Sequence, residues 1–134
     1  FFRNLNQINT ADSVEECVSK INFAFYKPEE VTGIILETWH FWFAQYLSIL
    51  KEETASDDER KLLINSINPK YVLRNYMAQT AIELAEKEDY SLIDELYTLL
   101  LNPYDEQPKF EKWYAKRPDW ARQKIGSSML SCSS

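Results

Sequence analysis

Apolar residues recur along most of this chain at helical spacing, and nowhere do they alternate over the length of a strand. Val14, Cys17, Val18, Ile21 and Phe25 share one helical face. Asp12 ahead of them predicts an N-cap, with Glu15 completing a capping box. Lys27-Pro28-Glu29-Glu30 marks a second start, with proline near the first helical position and acids in the first turn. This helix is expected to run to Lys51. Gly33 costs about 1 kcal/mol inside a helix relative to alanine, which moves the expected start a turn later. Val31, Ile35, Trp39, Trp42, Tyr46 and Ile49 form its predicted buried face, and Ile34, Phe41, Phe43 and Leu47 cover other sides. A helix apolar nearly all round is central to a fold.

After the polar connector KEETASDDER, residues 51–60, Ser56 and Glu59 form another capping box. It opens a short helix through Leu62, Leu63 and Ile67. Asn68-Pro69 predicts a further start, with asparagine as cap and proline first inside. Leu73, Met77, Ala81 and Leu84 make the stripe of that helix, flanked by Val72 and Tyr76. Ser91 is then expected to cap a last helix through Ile93, Leu96, Leu99 and Leu100, stopped by Asn102-Pro103. The pattern predicts an all-α fold of about five helices. Residues 1–107 read as a helical domain and 108–134 as an irregular, surface-wrapping basic tail. Trp113, Tyr114 and Trp120 are its candidate anchors, with a short helix near 119–125.

Composition sharpens this picture in three places. Two glycines and five prolines among 134 residues leave few tight turns and no glycine-rich phosphate loop. Residues 109–134 carry six basic side chains against Glu111 and Asp119, a surplus of +4, which leaves −10 on the first 108 residues. An acidic body argues against nucleic-acid binding, and the basic tail is expected to dock on the chain's own acidic surface. The apolar run from Ile34 to Leu50 is interrupted by Glu37, His40 and Gln45, so it reads as a buried helix and no membrane span is expected. The first residue is Phe1, so the chain reads as a C-terminal piece of something longer.

Candidate chemistry is sparse. His40 is the only histidine and has no nearby cysteine or second histidine, so it reads as structural, and no metal site is expected. The acid pairs at 15/16, 29/30, 52/53, 57/58 and 88/89 sit at helix starts or in connectors, where they complement the helix dipole. No catalytic residue and no cofactor-binding residue is assigned in this chain. Cys17 lies on an apolar stripe and reads as a small core residue. Cys132 is different, because chain ends rarely join a core. Its thiol reads either as an inert terminal cysteine or as an accessible sulfur able to reach a partner. The two cysteines are too few for a disulfide scaffold, which fits a reducing compartment.

One stretch carries a resemblance. NPKYVLRNYMAQTAIELAEKEDYSLIDELYTLLLNPYDEQP at 68–108, RPDWA at 117–121 and SCSS at 131–134 resemble, in order and spacing, the C-terminal end of the selenoprotein O family. Residues 1–67 resemble the region just upstream of it more faintly. The resemblance implies a helical end of a protein-kinase-like C-lobe. It implies a parent that transfers AMP from ATP to Ser, Thr or Tyr hydroxyls of proteins, with Mg2+ or Mn2+. The nucleotide, metal and catalytic groups would lie upstream, in a kinase-like domain of the same chain that this region supports. Cys132 matches the position that is selenocysteine in some members, which implies a redox-regulatory thiol exchanging with a cysteine elsewhere, Cys17 being the lesser option. Ser127 and Ser128 exclude a local dithiol motif. Arg74 and Asn75, within the match, are expected to join a buried polar network. The implied location is the cytoplasm in bacteria and the mitochondrion in eukaryotes. Two rivals stand beside this reading: a non-enzymatic helical interaction module, and a catalytically inactive pseudokinase scaffold.

Overall fold

A computed structural model describes residues 1–124. Among them every regular element is helical: α1 (Phe2–Leu5), α2 (Val14–Ile21), α3 (Gly33–Glu52), α4 (Asp57–Ile67), α5 (Asn75–Ala85), α6 (Ser91–Leu100) and α7 (Trp120–Gln123). Short 3-10 turns lie at Asn22–Ala24, Pro28–Glu30 and Pro108–Trp113. The chain divides into two compact units, Phe1–Asn68 and Pro69–Ser134.

In the first unit α2 packs against α3. Its core holds Ile8, Cys17, Ile21, Phe43, Leu47 and Leu50, with Val14, Val18, Phe25, Trp39 and Tyr46 partly buried around them. The start of α2 differs from the sequence expectation by one residue. Ser13 is the N-cap: its hydroxyl accepts from Glu16 N at 3.2 Å, and its own N–H donates to Glu16 Oε2 at 2.7 Å. Asp12 is occupied elsewhere, accepting from Asn9 N at 2.7 Å and pairing with Lys20. The Ser56–Glu59 box at the head of α4 forms as predicted.

Helix α3 starts a turn after Pro28, as the position of Gly33 suggested. Gly33 is its first residue, at φ +52°, in the left-handed region that glycine enters without a Cβ clash. The buried face, however, is rotated from the predicted one. Phe43, Leu47 and Leu50 point into the core, while Ile35 and Ile49 are exposed. With apolar residues on most of the circumference, the period does not select a face. Contact with α2 does. In α4 the predicted apolar stripe of Leu62, Leu63 and Ile67 is exposed, and the residue buried from this helix is Arg60.

In the second unit the predicted cap at Asn68 is overturned. Asn68 instead closes α4, and residues 69–74 run without helix into α5. The backbone N–H groups of Lys70 and Tyr71 both donate to Pro103 O, at 2.8 and 3.0 Å. That draws this segment against the end of α6 and buries the Tyr71 ring. Leu73 therefore lies before the helix and is exposed, while Tyr76, Met77 and Ala81 are buried from α5. At α6 the group satisfying the first turn is Asp89, which accepts from Ser91 N at 3.0 Å, and not the Ser91 hydroxyl. Leu92, Leu96 and Leu99 pack on α5, and Phe110 and Ala121 of the downstream segment complete the core. Lys112 pairs with Glu95 on α6 and Lys124 with Glu83 on α5. These are the basic-on-acidic contacts that the charge asymmetry anticipated. Trp113 and Tyr114 are half-buried against the core, and Trp120 meets Tyr76 edge-on at 6.1 Å between ring centres.

Candidate functional site

The thiol singled out from sequence, Cys132, lies outside the described residues. Cys17 is fully buried between α2 and α3. Burial pushes its thiol up to about 11, with the Asp12 carboxylate adding to the rise and Lys20 opposing it. A thiol so held is not a thiolate near neutral pH and packs as a small apolar residue. His40 is half-buried on α3. Arg74 and Asn75 are both exposed, so within this unit they join no buried network. No cluster of three or more His, Cys, Asp or Glu side chains able to hold a metal exists among the described residues. No helix among them is long and apolar enough to cross a membrane.

What the first unit does assemble is a polar clamp beside a groove. One nitrogen of Arg60, Nη2, donates to Asp57 Oδ1 at 2.7 Å and to Ile8 O at 2.8 Å. Asp57 also accepts from the Thr10 backbone N–H and hydroxyl, each at 3.1 Å. Burial alone would raise the Asp57 carboxyl. The Thr10 and Arg60 hydrogen bonds outweigh that and hold it below the usual range. Further along α4, Asn6 Nδ2 donates to Lys61 O at 2.8 Å and Asn65 Oδ1 at 2.9 Å, and Arg3 Nε donates to Asn68 O at 3.0 Å. α1 and the loop after it are thus laced to α4 by side-chain hydrogen bonds, most of them to backbone carbonyls.

The groove, of about 800 Å³, opens where the end of α3 meets α4. Tyr46, Ile49 and Leu50 line it from α3, and Leu63 and Ile64 from α4. Glu52, Glu53, Glu59 and Arg60 supply the charged lining. Arg60 is 6% exposed, and its Nη1 has no acceptor among the described residues. Burial raises the Tyr46 hydroxyl, with Arg60 pulling the other way. The groove contains no nucleophile paired with a base. Its lining is apolar, edged by three carboxylates and the Arg60 guanidinium.

The sequence reading missed Arg60. Its one local signal is the spacing to Asp57, three residues earlier. Its other partner, the Ile8 carbonyl, lies 52 positions away and leaves no pattern.

No family model matches the chain. It is 63% identical over 134 residues to a protein nucleotidyltransferase YdiU of Flavobacterium johnsoniae, covering 100% of this chain and 26% of that protein. A namesake from Aromatoleum aromaticum is 42% identical over 134 residues, covering 100% of this chain and 25% of its own length. One from Rhodopirellula baltica is 46% identical over 114 residues, covering 83% and 21% respectively. The chain thus spans about a quarter of the length of these curated relatives.

Proposed function

We propose that this chain is the C-terminal helical region of a protein nucleotidyltransferase of the selenoprotein O family. The observation that carries the reading is the 63% identity across all 134 residues to a relative named as a protein nucleotidyltransferase. In the parent, the oxygen of a protein Ser, Thr or Tyr hydroxyl attacks the α-phosphorus of ATP. The new O–P bond forms as the bond to pyrophosphate breaks, and a base takes the hydroxyl proton. The parent acts in the cytoplasm if its source is a bacterium, and in the mitochondrion if it is a eukaryote.

The described residues do not fit the Mg2+ or Mn2+ that the reaction is expected to use, because they gather no group of three carboxylate, histidine or cysteine ligands. The metal and the nucleotide belong, on this reading, to an upstream kinase-like domain of the same polypeptide, and this region supports that domain. Cys132 serves as a redox-regulatory thiol, by exchange with a cysteine outside this chain. Cys17, fully enclosed, is unsuited to exchange with it.

The test is the full-length parent incubated with ATP labelled on the α-phosphate and, separately, on the γ-phosphate. Label entering protein only from the α position is the expected result. Label from the γ position alone means an ordinary kinase. Label from neither means a scaffold, and removes the transferase reading.

A further inference from the structure

The twenty residues of α3 carry apolar side chains on two opposite sides, and the first unit covers only one of them. Phe43, Leu47 and Leu50 are inside. Ile34 is 74% exposed, Phe41 67% and Ile49 58%. Positions 34, 41 and 49 are spaced by about two helical turns each, so they share one face. Ile49 also lines the groove, and across it stands Leu63 of α4, itself 64% exposed. A strip of exposed apolar residues, interrupted by Thr38, Gln45 and Ser48, therefore runs along α3 and over the groove onto α4. Large apolar side chains clustered at the surface mark an interface.

We infer that this strip seats a segment of the same polypeptide lying outside these 134 residues, apolar toward α3 and basic toward the groove. The inference rests on the reading that the chain is part of a longer nucleotidyltransferase. Two observations favour this occupant. The 63%-identical relative is matched over only 26% of its length, so about three quarters of such a polypeptide stands outside this chain. The charged lining of the groove, Glu52, Glu53 and Glu59 against Arg60, calls for a Lys or Arg on whatever enters. A backbone carbonyl brought in with it would also satisfy Arg60 Nη1.

The test uses the full-length polypeptide with Ile34→Cys, Phe41→Cys or Leu63→Cys, and Glu15→Cys, at an exposed position of α2, as the control. Maleimide labelling is followed at each introduced thiol by peptide mass spectrometry. The expected result is labelling roughly tenfold or more slower than at the control, unchanged on dilution. Labelling as fast as at the control overturns the inference. So does protection lost on dilution, which means a second copy, or protection gained only when a protein substrate is added. Hydroxyl-radical oxidation of the unsubstituted protein removes any concern over misfolded variants. Phe41 is expected to oxidise as slowly as buried Phe43, and a clearly faster rate counts against the seat. Neither readout depends on nucleotide transfer. A protected strip in a protein that transfers no label keeps this inference and sinks the transferase reading, and an exposed strip in an active transferase does the converse.

Discussion

Arg60 Nη2 lies 2.7 Å from Asp57 Oδ1 and 2.8 Å from Ile8 O, so a single guanidinium nitrogen joins the first turn of α4 to the N-terminal loop. Arg60 is buried, and removing it takes this donor from Ile8 O and leaves Asp57 with its Thr10 hydrogen bonds alone. Arg60→Ala is expected to destabilise the first unit by about 1–3 kcal/mol, the cost of leaving a buried acceptor without its donor. Arg60→Lys should recover only part of this, because the more strongly hydrated ammonium is costlier to bury than a guanidinium. Urea unfolding followed by circular dichroism measures both, and a loss under about 0.5 kcal/mol for the alanine variant would show the clamp to be dispensable.

The same pair sets a pH dependence. The Asp57 carboxyl is depressed in the folded chain, so its contribution is complete above the ordinary aspartate value of about 3.9. The contribution is lost as pH falls from there through the lower folded value. Asp57→Asn is therefore expected to be less stable than the unsubstituted chain at neutral pH, with the gap closing below about pH 4. Urea midpoints of the two proteins between pH 2 and 7 give the comparison. A constant gap across that range would mean that the carboxylate charge plays no part.

Cys17 should behave as a core residue under chemical attack. Enclosed, and with its thiol pushed up to about 11, it is expected to resist alkylation at pH 8 until denaturant is added. Cys17→Ser should cost more stability than Cys17→Ala, since the hydroxyl would be buried where the sulfur now packs against apolar neighbours. Peptide-resolved alkylation and thermal melts read the two effects separately. Rapid labelling of Cys17 in the native chain would reopen it as a redox partner.

Glu88 ends the turn after α5 at φ +62°, the one non-glycine residue described with a left-handed backbone. Its N–H donates to Ala85 O at 2.9 Å, and the N–H of Asp89 reaches Leu84 O at 3.0 Å, so the conformation serves to close the helix. Glu88→Gly removes the Cβ penalty and is expected to gain roughly 0.5 kcal/mol after allowing for the greater freedom of glycine in the unfolded chain. Chemical denaturation measures the sign. A net loss would mean that the unfolded-state term dominates here.

The capping chemistry at Ser56 was legible because every part of it lies within four residues. At Ser13 the same box was misplaced by one position, since Asp12 and Glu15 have the same spacing and chemistry, and only the tie from Asp12 to Lys20 decides between them. Asn68-Pro69 carried the strongest local start signal in the second half. It was overridden by two backbone hydrogen bonds to Pro103, more than thirty residues away. The buried side of α3 was unreadable for a different reason: its apolar residues face both ways, and periodicity alone cannot say which side meets α2. The candidate groove was invisible in the sequence, because it exists only where the ends of α3 and α4 converge.

The segment after α6 allows apolar anchoring and charge pairing to be weighed against each other. Phe110 is 8% exposed in the second core, while the Lys112 side chain is 59% exposed in its pair with Glu95. Truncating a buried phenylalanine costs about 3–5 kcal/mol, and an exposed ion pair is worth about 0–1 kcal/mol. Phe110→Ala is therefore expected to release this segment and lower the stability of the second unit severely, whereas Lys112→Ala should change it little. Added salt, which screens surface pairs, should leave residues 108–124 in place. Amide exchange across residues 108–114 distinguishes the cases. Protection that survives about 1 M NaCl but vanishes in the Phe110 variant means apolar anchoring. Protection that fades with salt would mean that the acidic face of α5 and α6 holds the basic segment by charge.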